Sequence, residues 1–263
     1  MQQDKVTQIE KMPVFFIGHG SPMNAITDSA FARHLAAMGE SLKRRPKAIL
    51  VVSAHWQTQG SFVSAASKPE IIYDFSGFPA ALSQVVYPAP GSPEFAEELR
   101  RLAPEVREDV AWGLDHAAWA VLKHMFPLAN VPVFELSLDY RATLQQHFDL
   151  GSKIAMLREE GVLVVCSGNV VHNIRLWHKR QGLGPYGWDV EFDGWVKGKL
   201  DQRDFAGLID YESQGKAAKL AVPTLDHYIP LLYCVGMATP DEELQHVYEE
   251  VLPAMSMRCV KIG

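Results

Sequence analysis

Six short, β-branched stretches constrain this chain more than anything else in it, because most are apolar on both alternating faces. They run Val14 to Ile17, Ala48 to Ser53, Ser61 to Ala66, Val131 to Leu138, Val162 to Cys166 and Met257 to Ile262. A strand with one wet face alternates apolar and polar residues, whereas a strand apolar on both faces must be covered on both. Between them lie segments with the helical period: Asp28 to Leu42, Pro93 to Leu102, Ala117 to Met125, Arg141 to Glu159, Val190 to Leu200 and His227 to Met237. This alternation predicts an α/β fold, with a largely parallel or mixed central sheet flanked by helices on both faces.

Glycine and proline clusters mark loops at Gly18 to Pro22, Gly77 to Pro79, Pro88 to Pro93 and Gly182 to Gly187. No low-complexity linker or internal repeat divides the 263 residues. The expected organisation is a flexible N-terminal tail over residues 1–12 and a single catalytic domain over 13–263. The tail is polar and mixed in charge and lacks the apolar stretch of a secretory signal. No segment reaches the ~18 uninterrupted apolar residues of a membrane span, so no membrane partner is expected.

A net charge of -6 supplies no global positive field for phosphate backbones, which argues against nucleic acid. The three cysteines, Cys166, Cys234 and Cys259, are odd in number, far apart and set among apolar residues. They read as reduced core thiols, and a cytoplasmic setting follows. A small-molecule substrate and a monomer or small homo-oligomer are expected.

The chemistry lies in the histidines. Of ten, four sit directly after or beside an apolar run: His19 in FFIGHGSP, His55 in VVSAHW, His172 in VVCSGNVVHN and His227 in TLDHYIPLLY. His116, in GLDHAAW, opens a helix. Imidazole is the commonest ligand of borderline metals, and a metal site needs side chains converging from rigid elements far apart in sequence. Strand ends of one sheet supply that convergence, in the crevice where open α/β sheets bind ligands.

His19 and His55 are read as metal ligands. Glycines on both sides of His19 allow a tight turn and a close approach. His227 is read as a further ligand at the start of an apolar helix, with Asp226 either capping that helix or orienting the imidazole. His172, near Asn169 and Asn173, suits a general acid/base or another ligand. His34, His124, His147 and His246 fall in helical patterns, and His178 lies in the basic run WHKR; these five read as packed or solvated residues.

Other chemistries find little support. The chain has no Gly-x-Gly-x-x-Gly after a strand, no Walker lysine and no Cys-x-x-Cys. Ser21 and Ser167 are not set in a Gly-x-Ser-x-Gly elbow.

Seven motifs in order carry a resemblance over nearly the whole chain: Gly18-His19-Gly20-Ser21-Pro22; Ser53-Ala54-His55-Trp56; Tyr73-Asp74-Phe75 with Gly77-Phe78-Pro79; Tyr87-Pro88-Ala89-Pro90-Gly91; Gly113-Leu114-Asp115-His116; Ser167-Gly168-Asn169-Val170-Val171-His172-Asn173; and His227-Tyr228 with Pro230-Leu231-Leu232-Tyr233. With these the chain resembles the class III extradiol ring-cleavage dioxygenases, in the 4,5-DOPA dioxygenase extradiol branch of the LigB-like family. The resemblance implies a non-haem Fe(II) enzyme that opens a catechol such as L-DOPA with O2, beside rather than between the hydroxylated carbons.

By the same resemblance His19, His55 and His227 hold the metal. The wider class has a glutamate as third ligand where this chain has His227, and an all-histidine set also suits Zn(II). The family's histidines near the substrate map onto His172 and His116, with His172 close enough to serve as a fourth ligand. A base is wanted to deprotonate the catechol and an acid to assist O–O cleavage, and histidine can do both. Tyr73, Phe75 and Phe78 are candidates to enclose the ring, Asn169 and Asn173 to hydrogen-bond a catechol oxygen, and Trp56 to wall the pocket or pack. A zinc hydrolase and a metal-binding protein without catalysis are the rival readings.

Overall fold

The structure is a computed structural model that describes residues 11–263. Its elements in chain order are β1 (Val14–Gly18), α1 (Ala30–Glu40), β2 (Ala48–Thr58), β3 (Phe62–Ser64), α2 (Pro93–Leu102), β4 (Arg107–Asp109), α3 (His116–Met125), β5 (Val133–Asp139), α4 (Leu144–Ile154) and β6 (Val162–Gly168). There follow α5 (Ile174–Lys179), α6 (Trp188–Asp201), α7 (Phe205–Ile209), α8 (Lys216–Ala221), α9 (Ile229–Gly236), β7 (Leu244–Tyr248), β8 (Val251–Leu252), β9 (Met255–Ser256) and β10 (Cys259–Ile262).

Eight strands form one mixed sheet in the order β4-β3-β5-β2-β6-β1-β10-β7. Its centre, β5-β2-β6-β1, is parallel throughout. β10 runs antiparallel to both β1 and β7, and β3 runs antiparallel to β5. The apolar runs owe their doubled pattern to two separate cores. Val14, Phe16, Leu50, Val52, Val164 and Cys166 face one side, where α4, α6, α8 and α9 pack. Phe15, Ile17, Ile49, Val51, Leu163 and Val165 face the other, under α1 and α3. A single α/β domain with helices on both faces is therefore what the sequence pattern demands.

Several boundaries differ from the sequence expectation, each for a local reason. Thr143 and Gln146 form a reciprocal capping box, so α4 starts at Leu144 rather than near Arg141. The helix expected from His227 begins at Ile229, which leaves Pro230 in the first turn, where its missing N–H costs nothing. Asp226 therefore does not cap it, and no side chain does. Strand β7, which has no fully buried residue, escaped the search for doubly apolar runs.

Most of the expected tail, residues 1–10, lies outside the described residues. Met12 is buried and bonded at both ends to Arg158: its N–H reaches the Arg158 carbonyl at 2.9 Å, and its carbonyl accepts from Arg158 Nε at 2.8 Å. Arg158, only 1% exposed, also donates to the carbonyls of Met237 at 2.8 Å and Ile262 at 3.3 Å and pairs with Glu242. One guanidinium thus joins the entry to β1, the end of α9 and the end of β10. We expect Arg158→Ala to cost about 3–5 kcal/mol, since it strands a buried carboxylate and several carbonyls. Urea unfolding measures this, and a loss below about 1 kcal/mol would put the clamp among ordinary surface pairs.

Candidate active site

The site forms at the carboxyl end of the parallel strands. β1 ends at Gly18, and His19 follows it, its N–H bonded to the Gly168 carbonyl of neighbouring β6 at 3.1 Å. Gly20 then takes a positive φ of 63°, turning the chain away at once. His55 lies inside β2, where pairing with β5 is interrupted between Val52 and Gln57. That irregularity re-aims the strand, and Ser53 Oγ fixes it by accepting the His55 N–H at 3.1 Å while donating to Asp115 Oδ2 at 2.5 Å.

His227 sits in the turn before α9. This turn is pressed onto the end of β6: the His227 carbonyl accepts the Asn169 N–H at 2.8 Å, and a Cβ on Gly168 would lie 2.3 Å from that carbonyl oxygen. His116 is the first residue of α3, whose N-cap is Asp115.

Hydrogen bonds set the tautomers. Ser167 Oγ gives its one hydrogen to the Ala117 carbonyl at 2.7 Å, so it accepts from His19 Nδ1 at 3.0 Å. Asp74 Oδ2 accepts from Nδ1 of His55 at 2.9 Å and from Nδ1 of His116 at 2.8 Å, while Oδ1 accepts the His116 N–H at 3.0 Å. Asp226 Oδ2 accepts from His227 Nδ1 at 2.5 Å. With every Nδ1 carrying its hydrogen outward, each neutral ring keeps a bare lone pair on Nε2. His19 Nε2 and His55 Nε2 lie 3.3 Å apart, and two facing lone pairs call for a cation between or beside them.

Three overlapping donor sets emerge. The rings of His19, His55 and His227 form a nearly equilateral triangle, with centroids 5.1–5.2 Å apart. Donor atoms of His19, His55 and His116 lie within 4.8 Å of one another, as do those of His172, Asp226 and His227. His172 stacks on His227 with centroids 3.5 Å apart and planes 8° from parallel. Its ring nitrogens have no hydrogen-bond partner among the described residues. Three imidazoles backed by carboxylates or a hydroxyl fit a divalent transition metal, since such acceptors fix the tautomer and raise basicity.

Burial, together with the neighbouring histidines, holds His19 well below the ordinary histidine range. Burial also brings His227 down to about 4 and, with His227 beside it, His172 down to about 2. His55 goes the other way: burial opposes its charge, but the Asp74 hydrogen bond and the nearby carboxylates raise it. Burial would raise Asp74 and Asp226, yet their imidazole partners hold both well below the carboxylate range. Both acids are therefore ionised at neutral pH, ready to compensate a bound cation.

A cleft of about 1000 Å³ opens over these groups, lined by His19, His55, His116, His172, His227 and both Phe75 and Phe78. Phe78 is where the sequence put it. Tyr73 is not among the lining residues: its hydroxyl donates to the Val85 carbonyl at 2.7 Å and its ring packs on Phe75 and Trp119. Asn169 and Asn173 are also absent from the wall. Asn169 spends its amide on the Gly20 N–H and the Ser256 carbonyl, and Asn173 caps α5 and donates to the Leu220 carbonyl. The hydrogen bonds expected from them to a catechol oxygen are thus taken by the scaffold. Trp56 stacks on Trp112 at 4.9 Å and is buried away from the cleft.

The sequence reading missed three things. Asp74 carries two histidines, and no local pattern gives its partners. His178, read as bland, lines the cleft with Ile174, Trp177 and Gln181. Tyr248, Glu250, Leu252 and Met257, late in the chain, also line it.

A sequence model of the catalytic LigB subunit of aromatic ring-opening dioxygenases matches residues 12–258. The chain belongs to this family. It is 41% identical over 273 residues to the 4,5-DOPA dioxygenase extradiol of Escherichia coli K12, covering 99% of this chain and 98% of that protein. It is 37% identical to the protein of the same name from Beta vulgaris, covering 89% and 90%. A crystal structure of an uncharacterized Escherichia coli K12 protein superimposes with a TM-score of 0.82 at 39% identity, covering 96% of this chain and all of that one. The chain is thus an aromatic ring-opening dioxygenase, and its histidine cluster is a candidate non-haem metal centre.

Removing the carboxylate behind His227 tests how the cluster is tuned. Asp226→Ala should weaken divalent-metal affinity about 10–100-fold, read by competition with a chromophoric chelator, without lowering the unfolding temperature of the metal-free protein. Unchanged affinity would mean that Asp226 does not orient His227.

Proposed function

We propose that this enzyme cleaves a catechol such as L-DOPA at the 4,5 position with O2, using Fe(II) held by His19, His55 and His227. The observation that carries the reading is the triangle of His19, His55 and His227 rings, centroids 5.1–5.2 Å apart and each backed through Nδ1, in a cleft also lined by Phe75 and Phe78. The names of the relatives supply the substrate. When bound, the metal supplies Lewis acidity and a path for electrons between catechol and O2. Zn(II) suits the same donors but lacks that path.

The chain's own residues handle position and protons. His172 lines the cleft stacked on His227 with no hydrogen-bond partner among the described residues, so a ring nitrogen is free to hydrogen-bond a catechol oxygen and orient the ring. His116 is held by Asp74 through Nδ1, which leaves Nε2 to exchange a proton with substrate oxygen. Asp74 joins His116 to His55, so the acid/base group and the metal-holding group share one anchor. Phe75 and Phe78, edge to face at 5.5 Å, exclude water from the ring-binding side. A cytoplasmic setting suits the buried thiols Cys166, Cys234 and Cys259.

Anaerobic loading with Fe(II), followed by L-DOPA and air, should consume O2 and yield a coloured semialdehyde; no O2 uptake with any catechol would sink the proposal. His19→Ala, His55→Ala and His227→Ala should lose metal by elemental analysis. His116→Ala should keep it while kcat falls about 10²–10⁴-fold. Metal loss in His116→Ala with retention in His227→Ala would replace the ligand set by His19, His55 and His116.

A further inference from the structure

The cleft walls have a lopsided charge. Among the described residues no lysine or arginine lines the cleft, and its carboxylates are Asp74 and Glu250. Both Asp74 oxygens are taken by His55 and His116. Glu250 is different. Its Oε2 accepts the Tyr248 hydroxyl at 2.7 Å, and its Oε1 has no partner among the described residues. It is exposed to the cleft mouth, so its charge stands over the entry rather than in the core.

Its backbone is fixed relative to the histidines. The Glu250 carbonyl accepts the Met257 N–H at 2.8 Å. The Met257 thioether in turn lies against Gly20, where a Cβ would meet its sulfur at 2.5 Å. Glu250 is thus tied through Met257 to the residue after His19. The cleft is also lined by Ile174 and Trp177 of α5, with His178 Nδ1 3.4 Å from Gln181 Nε2, residues that bring no lysine, arginine or carboxylate to it. A catechol ring bound at the histidines would have its substituent in the same cleft that Glu250 lines.

We propose that Glu250 is a specificity-determining residue that selects catechols whose side chain carries an ammonium group. This rests on the catechol-cleaving reading above and narrows its substrate class. A cationic substituent gains the Glu250 carboxylate. An anionic one meets that carboxylate with no lysine or arginine to offset it, which is a repulsive element as well as a missing attraction. An amino-acid side chain such as that of L-DOPA places its ammonium on Glu250 and its carboxylate in solvent.

The test uses the Fe(II)-loaded full chain and three catechols that differ in side-chain charge: dopamine, 4-methylcatechol and 3,4-dihydroxyphenylpropionate. Initial O2 uptake gives kcat/KM for each. We expect the order cation, neutral, anion, with a cation-to-anion ratio of about 10 or more at low salt that shrinks as salt rises. Glu250→Gln should cut that ratio about three- to tenfold, and Glu250→Lys should invert it. Opening of 4-methylcatechol without preference between cation and anion, or an unchanged ratio in Glu250→Gln, overturns the charge selection and leaves ring cleavage standing. Failure to open any of the three overturns the catechol reading itself and this proposal with it.

Discussion

His19 Nε2 and His55 Nε2 face each other at 3.3 Å, because Ser167 and Asp74 hold the Nδ1 hydrogens on the far side of each ring. With both rings neutral the two lone pairs repel, and only a cation, a proton or a metal ion, makes the contact attractive. Much of the fold serves to maintain it. β6 runs between β1 and β2 and supplies Ser167 to one ring, the Gly168 carbonyl to the His19 backbone, and the flat approach that seats His227. The two histidines come from strands that do not touch, and the strand separating them is the one that fixes their geometry.

The same constraint explains the heavily buried polar layer behind the cluster. Ser53, Asp115, Glu135 and Trp112 form a hydrogen-bonded chain under the His55 irregularity, with Ser53 donating to Asp115, and Glu135 accepting from the Asp115 N–H and Trp112 Nε1. Burial and the charge of Asp115 push Glu135 well above the usual carboxylate range. A chain this costly in a core persists where a functional side chain must be held against alternatives. Here Asp115 does two jobs: it caps α3, which places His116, and it anchors Ser53, which places His55.

How much of this was legible in the sequence follows from which interactions are local. The doubly apolar runs report burial on both faces directly, so the strand inventory and the α/β layering could be read. His19 and His55 stood out in the sequence because one follows such a run and the other interrupts one, His55 inside β2 rather than at its end. Pro230 carries the true start of α9 in the sequence, but the periodic pattern outweighed it. The roles of Asn169 and Asn173 could not be read, since a polar residue beside a site looks the same whether it serves the ligand or the backbone. Asp74 showed only as part of a motif and its role could not be read, because one of its histidine partners lies 42 residues away, and Glu250 joins the cleft only through the fold.

Charge balance gives a reason for His227 where the wider class carries a glutamate. A carboxylate ligand places its negative charge directly on a metal. Under the proposed ligand set the charge would sit one imidazole further out, on Asp226, which His227 reaches through a 2.5 Å hydrogen bond. Asp74 stands in the same relation to His55. Two ionised carboxylates, each one ring removed, carry together the charge opposite to one divalent ion. Neutral donors would leave such an ion more electron-poor than a carboxylate would, and so favour an anionic ligand over water. The compensating charge, lodged in Asp74, also touches His116, so any proton taken up there is felt at His55. The charge states of His116 and His55 are in this way coupled through a single carboxylate oxygen.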